Sequence, residues 1–64
     1  MEATTKILET LTNTELGVEV VLAKIADRFS VVLRDTDVNE TVSGRIFTTI
    51  EPANAYMASL FGSL

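Results

Sequence analysis

Residues 18–35 read VEVVLAKIADRFSVVLRD, and this stretch decides the fold. Val18, Val20, Val21, Ile25, Val31 and Val32 are β-branched, a density that favours extended chain over helix. The least apolar point is Ala26-Asp27. A tight turn there sets Lys24 opposite Phe29, Leu22 opposite Val31, Val20 opposite Leu33 and Val18 opposite Asp35. On the other side it sets Val21 opposite Val32, Ala23 opposite Ser30 and Glu19 opposite Arg34. Aliphatic meets aliphatic and carboxylate meets guanidinium, pairs worth roughly 0.2–1 kcal/mol each. Ala-Asp is not the Asn-Gly or Asp-Gly that two-residue loops prefer, so a longer loop is the alternative at this point.

Downstream, Asp35-Thr36-Asp37-Val38-Asn39-Glu40 is rich in turn formers. A turn at Val38-Asn39 predicts Leu33 opposite Gly44, Val31 opposite Ile46 and Phe29 opposite Thr48. The neighbouring register would set Arg45 against Val31, inside the apolar face, and that cost selects the first. Gly44 within a strand reads as a bulge or a close approach of another element. One face of the predicted sheet then carries Val18, Val20, Leu22, Phe29, Val31, Leu33, Val42 and Ile46, and is the core. The second face mixes Val21, Ala23, Ile25, Val32 and Phe47 with Glu19, Ser30, Arg34, Ser43 and Arg45. A solvated face alternates more cleanly, so a cover over part of it is expected.

The C-terminal segment is a legible helix. Thr49 suits the N-cap, Glu51 suits the positive end of the helix dipole, and Pro52 is tolerated only in a first turn. Ala53, Tyr56, Met57, Leu60, Phe61 and Leu64 then form one apolar stripe, and Gly62 suits a stop. A helix of about ten residues needs tertiary contacts to persist, so the stripe is expected to lie across the core face. At the other end, Ala3, Ile7, Leu8 and Leu11 have helical spacing. Four threonines, Thr4, Thr5, Thr10 and Thr12, oppose a helix there, and an extra edge strand is the rival. The predicted fold is therefore α+β: a three-stranded antiparallel meander with a C-terminal helix on one face (β-β-β-α), preceded by a short N-terminal helix or an extra strand.

Sixty-four residues are read as one small domain, 1–64, of a size that is often marginal alone. The chain has no Cys and no His, which removes disulfides and the usual zinc ligands. No apolar run approaches the ~20 residues of a membrane helix. Met1-Glu2-Ala3-Thr4 does not read as a secretory signal, so a soluble, cytoplasmic protein is the expectation. The net charge of −4 disfavours non-specific nucleic-acid binding.

Candidate chemistry is sparse. Asp35, Asp37 and Asn39 match the first three ligand positions of a calcium-binding EF-hand loop. The required Gly is Glu40 and the bidentate Glu is Ile46, so the match fails where geometry is strictest. Asn39-Glu40-Thr41 fits a glycosylation pattern, and turn chemistry explains it as well. Isolated Gly17, Gly44 and Gly62 make no phosphate loop. Tyr56 falls on the apolar stripe and reads as a core residue with its hydroxyl at the rim. No nucleophile–base constellation is assembled, so catalytic, cofactor-binding and metal-ligating residues are all expected to be absent.

The second sheet face is then the feature with functional content. Val21, Ile25, Val32 and Phe47, flanked by Arg34 and Arg45, form a patch suited to association. The expectation is a non-enzymatic interaction module acting as a homo-oligomer, a dimer first. It joins either by pairing of the apolar strand Val18–Ile25 with its copy or by sheets meeting face to face. An unidentified protein partner is the other occupant weighed. The alternative function is a small regulator or inhibitor that binds nucleic acid through Arg34 and Arg45, or a nucleic-acid-binding protein through scattered carboxylates. Glu19 opposite Arg34 and Asp27 beside Arg28 weigh against direct nucleic-acid contact.

Overall fold

The computed structural model describes residues 4–64. They form four strands and one helix, β1 (Thr5–Asn13), β2 (Val18–Ile25), β3 (Arg28–Asp35), β4 (Glu40–Phe47) and α1 (Ile50–Gly62). The strands make one antiparallel meander in the order β1-β2-β3-β4, and α1 lies on one face of it. The fold is α+β.

The central hairpin has the predicted register throughout, from Val18 opposite Asp35 to Ile25 opposite Arg28. Its loop is the two residues Ala26-Asp27. Ala26 adopts φ +56°, the left-handed region where a Cβ is strained. Positive φ at only the first of two loop residues is what a type II′ turn requires.

Of the two alternatives for the N-terminal segment, the structure shows the extra strand. Ala3, which entered the helical spacing, lies outside the described residues. Without β1, the outer N–H and C=O groups of β2 would go unpaired beside a buried run. Thr5, Thr10 and Thr12 are β-branched and at ease in a strand. The Ala26 N–H donates to the Thr4 carbonyl at 3.1 Å, which fastens the start of β1 to the β2–β3 turn. Pairing is broken once, between Ile7 and Glu9, where Leu8 is an extra residue forming a β-bulge.

The loops Thr14–Gly17 and Thr36–Asn39 lie at the same end of the sheet and share a design. Each follows an Asx residue whose side chain accepts a backbone N–H. Asn13 Oδ1 accepts from Leu16 at 3.1 Å, and Asp35 Oδ1 accepts from Asp37 at 3.0 Å. Each ends on a left-handed residue, Gly17 at φ +68° and Asn39 at φ +55°. The Thr36 N–H donates to the Gly17 carbonyl at 2.8 Å and joins the two.

The β3–β4 register differs from the prediction. The second loop has four residues rather than two, so Asp35 pairs with Glu40, not Val42. Val42 then forms a bulge that recovers one of the two displaced positions. The net slip is one residue: Val31 faces Arg45, Phe29 faces Phe47, and Ile46 faces Ser30. Val42 and Ile46, expected in the core, are exposed. Gly44 marks neither the bulge nor a close approach, because a Cβ there would meet only ordinary contacts at 3.6 Å.

The core is Val20, Leu22 and Val31 beneath Ala53 and Met57. Tyr56, Leu60 and Phe61 from the helix and Leu11, Phe29, Leu33 and Phe47 from the sheet close its perimeter. The helix stripe thus falls where its spacing places it, although Leu64 at its end is exposed. Thr49 occupies the N-cap in an extended conformation without a side-chain cap bond. The helix ends at Gly62 by a different device from a left-handed glycine. Ser63 stays right-handed, and its hydroxyl donates to the Leu60 carbonyl at 2.9 Å. No helix of the described residues is long and apolar enough to cross a membrane.

Candidate functional site

Because β1 extends the sheet instead of folding back over it, the face opposite α1 has no second layer among the described residues. The described molecule is 16 Å across its thinnest axis, a sheet and one helix. Residues on this open face fall in four cross-strand rows. From the Ala26-Asp27 end, the first row holds Thr5, Ile25 and Arg28. The second is Ile7, Ala23, Ser30 and Ile46, and the third is Thr10, Val21, Val32 and Gly44. The fourth is Thr12, Glu19, Arg34 and Thr41.

The two middle rows differ in shape. In the second, large residues stand on the outer strands, Ile7 at 57% and Ile46 at 56% exposure, and small Ala23 and Ser30 lie buried between them. In the third, the outer strands carry Thr10 and Gly44, and the inner strands carry Val21 and Val32. The result is a shallow, mainly aliphatic groove of about 390 Å³ over β1, β2 and β3.

One end of the groove is polar and internally satisfied. Arg34 Nη1 lies 3.3 Å from Glu19 Oε1, and Arg34 Nη2 donates to Asn39 Oδ1. The predicted Glu19–Arg34 pair is therefore present, and Asn39, held left-handed at the loop end, completes its ring of contacts. At the opposite end Arg28 stands 4.0 Å from Asp27, both well exposed, a separation at which an ion pair contributes little.

The residues expected in the association patch divide between the faces. Val21, Ile25, Val32 and Arg34 share the open face. Phe47 and Arg45 do not join them: the one-residue slip in β4 turns both to the helix side. There Phe47 packs against Tyr56 with ring centroids 5.5 Å apart. The Arg45 guanidinium lies over the same ring at 5.5 Å. In their place the open face gains Ile7, from the segment read as a short helix or an extra strand, and Ile46, which was expected in the core. The four-residue loop alone would shift β4 by two positions and keep Ile46 on the helix side, opposite Phe29; the Val42 bulge is what turns it to the open face.

The Val18–Ile25 strand is interior, bonded on both sides by β1 and β3, so it has no free edge with which to pair with a copy. The outer strands carry a bulge each, at Leu8 and Val42, and bulges blunt an edge against strand addition. Among the described residues, no group of three or more acidic side chains is gathered closely enough to hold a metal ion. No protein-family model matches this chain, and comparisons with the curated proteins and the solved structures returned no match.

Proposed function

We propose that this chain is a non-enzymatic, cytoplasmic protein-interaction module that works as a homo-oligomer, most simply a dimer, through the open face of its sheet. The observation that carries the reading is that β1 joins the sheet edge and leaves Ile7, Val21, Ala23, Ile25, Val32 and Ile46 without a second layer. Contiguous apolar faces of this kind mark association sites. Four strands about 4.8 Å apart and eight residues at about 3.3 Å rise give a face near 19 by 26 Å. Two copies would bury about 1,000 Å², the lower bound for a specific interface. Meeting face to face is favoured over edge pairing because β2 is interior and both edges are bulged.

The test is molar mass by light scattering across a concentration series, with Val32→Glu as the comparison. A dimer that Val32→Glu converts to monomer is the expected result. A monomer at every concentration, or a mass unmoved by Val32→Glu, overturns the reading.

The other function, a regulator of nucleic acid or of a nucleic-acid-binding protein, has less support. Strand readers need free cations along the phosphate track, and Arg34 is already held by Glu19 and Asn39. Titration with single- and double-stranded DNA at low salt tests it. Steeply salt-dependent binding would replace the oligomer reading.

A further inference from the structure

Resting on that reading, we infer that the second copy lies on the open face with its strands antiparallel to the first, related by a two-fold axis that crosses the strands between the two middle rows. Such an axis lays the second row of one copy on the third row of the other, strand upon like strand. Ile7 then meets the partner's Thr10, and Ile46 meets the notch at the partner's Gly44. Val21 and Val32 of each copy settle onto the partner's Ala23 and Ser30. Within these two rows each larger residue faces a smaller one, and the two grooves fill each other.

The competing arrangement has its axis parallel to the strands. It lays the second row on itself, so Ile7 meets the partner's Ile46 and Ala23 meets the partner's Ser30. Large then opposes large at the margins while small opposes small in the middle. In the third row Val21 meets the partner's Val32, which holds the sheets apart and leaves a void at the Ala23–Ser30 level, whose lining forfeits its dispersion contacts. Sheets stacked face to face cross at about 30°, which spreads the outer rows but keeps the rows beside the axis in register.

Gly44 separates this inference from the reading it rests on. Its backbone is not left-handed, and an added Cβ would meet only the Val31 carbonyl and Val32 Cγ1, each at 3.6 Å. Gly44→Val therefore leaves the protomer intact, which circular dichroism and a melting curve at low concentration verify, while closing the notch to the partner's Ile46. The experiment measures dimer dissociation by light scattering and sedimentation for the full chain and its variants. Gly44→Val should raise the dissociation constant about tenfold or more. Gly44→Val combined with Ile46→Gly exchanges knob and notch and should restore most of the loss. Should Val32→Glu dissolve the dimer while Gly44→Val leaves it unchanged, the open face is the interface but the antiparallel register is wrong. Failure of the double variant to recover affinity also overturns the register. Should Val32→Glu leave the dimer intact, both the register and the reading beneath it fail.

Discussion

The Arg45 guanidinium lies over the Tyr56 ring, its central carbon 5.5 Å from the ring centroid. This contact explains how a cation occupies the helix face of the sheet directly opposite Val31. β4 is an outer strand, so the long Arg45 side chain runs along apolar surface and keeps its charged head wet. The ring supplies the attraction that an aliphatic neighbour would not. Arg45→Ala should cost about 0.5–1 kcal/mol in urea unfolding, the value of an exposed cation–π contact. Tyr56→Phe keeps the ring face and should lose much less. Equal losses in the two variants would show that the hydroxyl, not the ring, is the partner.

Ala26 sits at φ +56° in the tightest turn of the sheet. A side chain in this region costs roughly 1–2 kcal/mol, and glycine avoids it at some entropic expense in the unfolded chain. Ala26→Gly should therefore stabilise by about 0.5–1 kcal/mol. A destabilised variant would mean that Ala26 is relaxed in solution and the turn has another form.

Gly17 combines φ +68° with a close neighbour. A Cβ built there would lie 2.6 Å from Asp37 Oδ2, the tip of a flexible side chain that can swing away. The backbone strain cannot be relieved in that manner. Gly17→Ala should destabilise by about 1–2 kcal/mol, and Gly17→Ala with Asp37→Gly should recover only a minor part. Full recovery would assign the cost to the clash rather than to the backbone.

These residues also mark what was legible in the sequence. The β2–β3 hairpin could be read pair by pair because both of its faces demand the same register, aliphatic on aliphatic and Glu19 on Arg34. The helix could be read because Ala53, Tyr56, Met57, Leu60 and Phe61 keep an unbroken period. What escaped the reading traces to the two bulges. Leu8 interrupts the alternation of β1 and leaves Ile7, Leu8 and Leu11 at spacings that mimic a helix. Val42 does the same in β4, where ETVSGRIF holds too few large residues to fix its own register. Each miss displaced side chains between faces: Ile7 and Ile46 to the open side, Arg45 and Phe47 to the helix side. The inner-strand residues of the candidate interface, Val21, Ala23, Ile25 and Val32, could therefore be placed in advance, and Ile7 and Ile46 on the outer strands could not.

Met57 is buried over Val20, Leu22 and Val31, so its truncation tests the fold and the proposed association together. A chain of this length typically has about 3–10 kcal/mol of stability, and a buried methionine cut to alanine costs about 2–5 kcal/mol. Met57→Ala should leave little reserve in the isolated protomer. Association of folded protomers pulls the folding equilibrium by mass action. The melting temperature of Met57→Ala should therefore rise clearly with protein concentration, and the rise should vanish when Val32→Glu is added. A melting temperature independent of concentration over a hundredfold range, with the variant folded, would show that folding draws nothing from a second copy. The open face would then be stable against water by itself, and the reason for its aliphatic rows would have to be sought in a different partner.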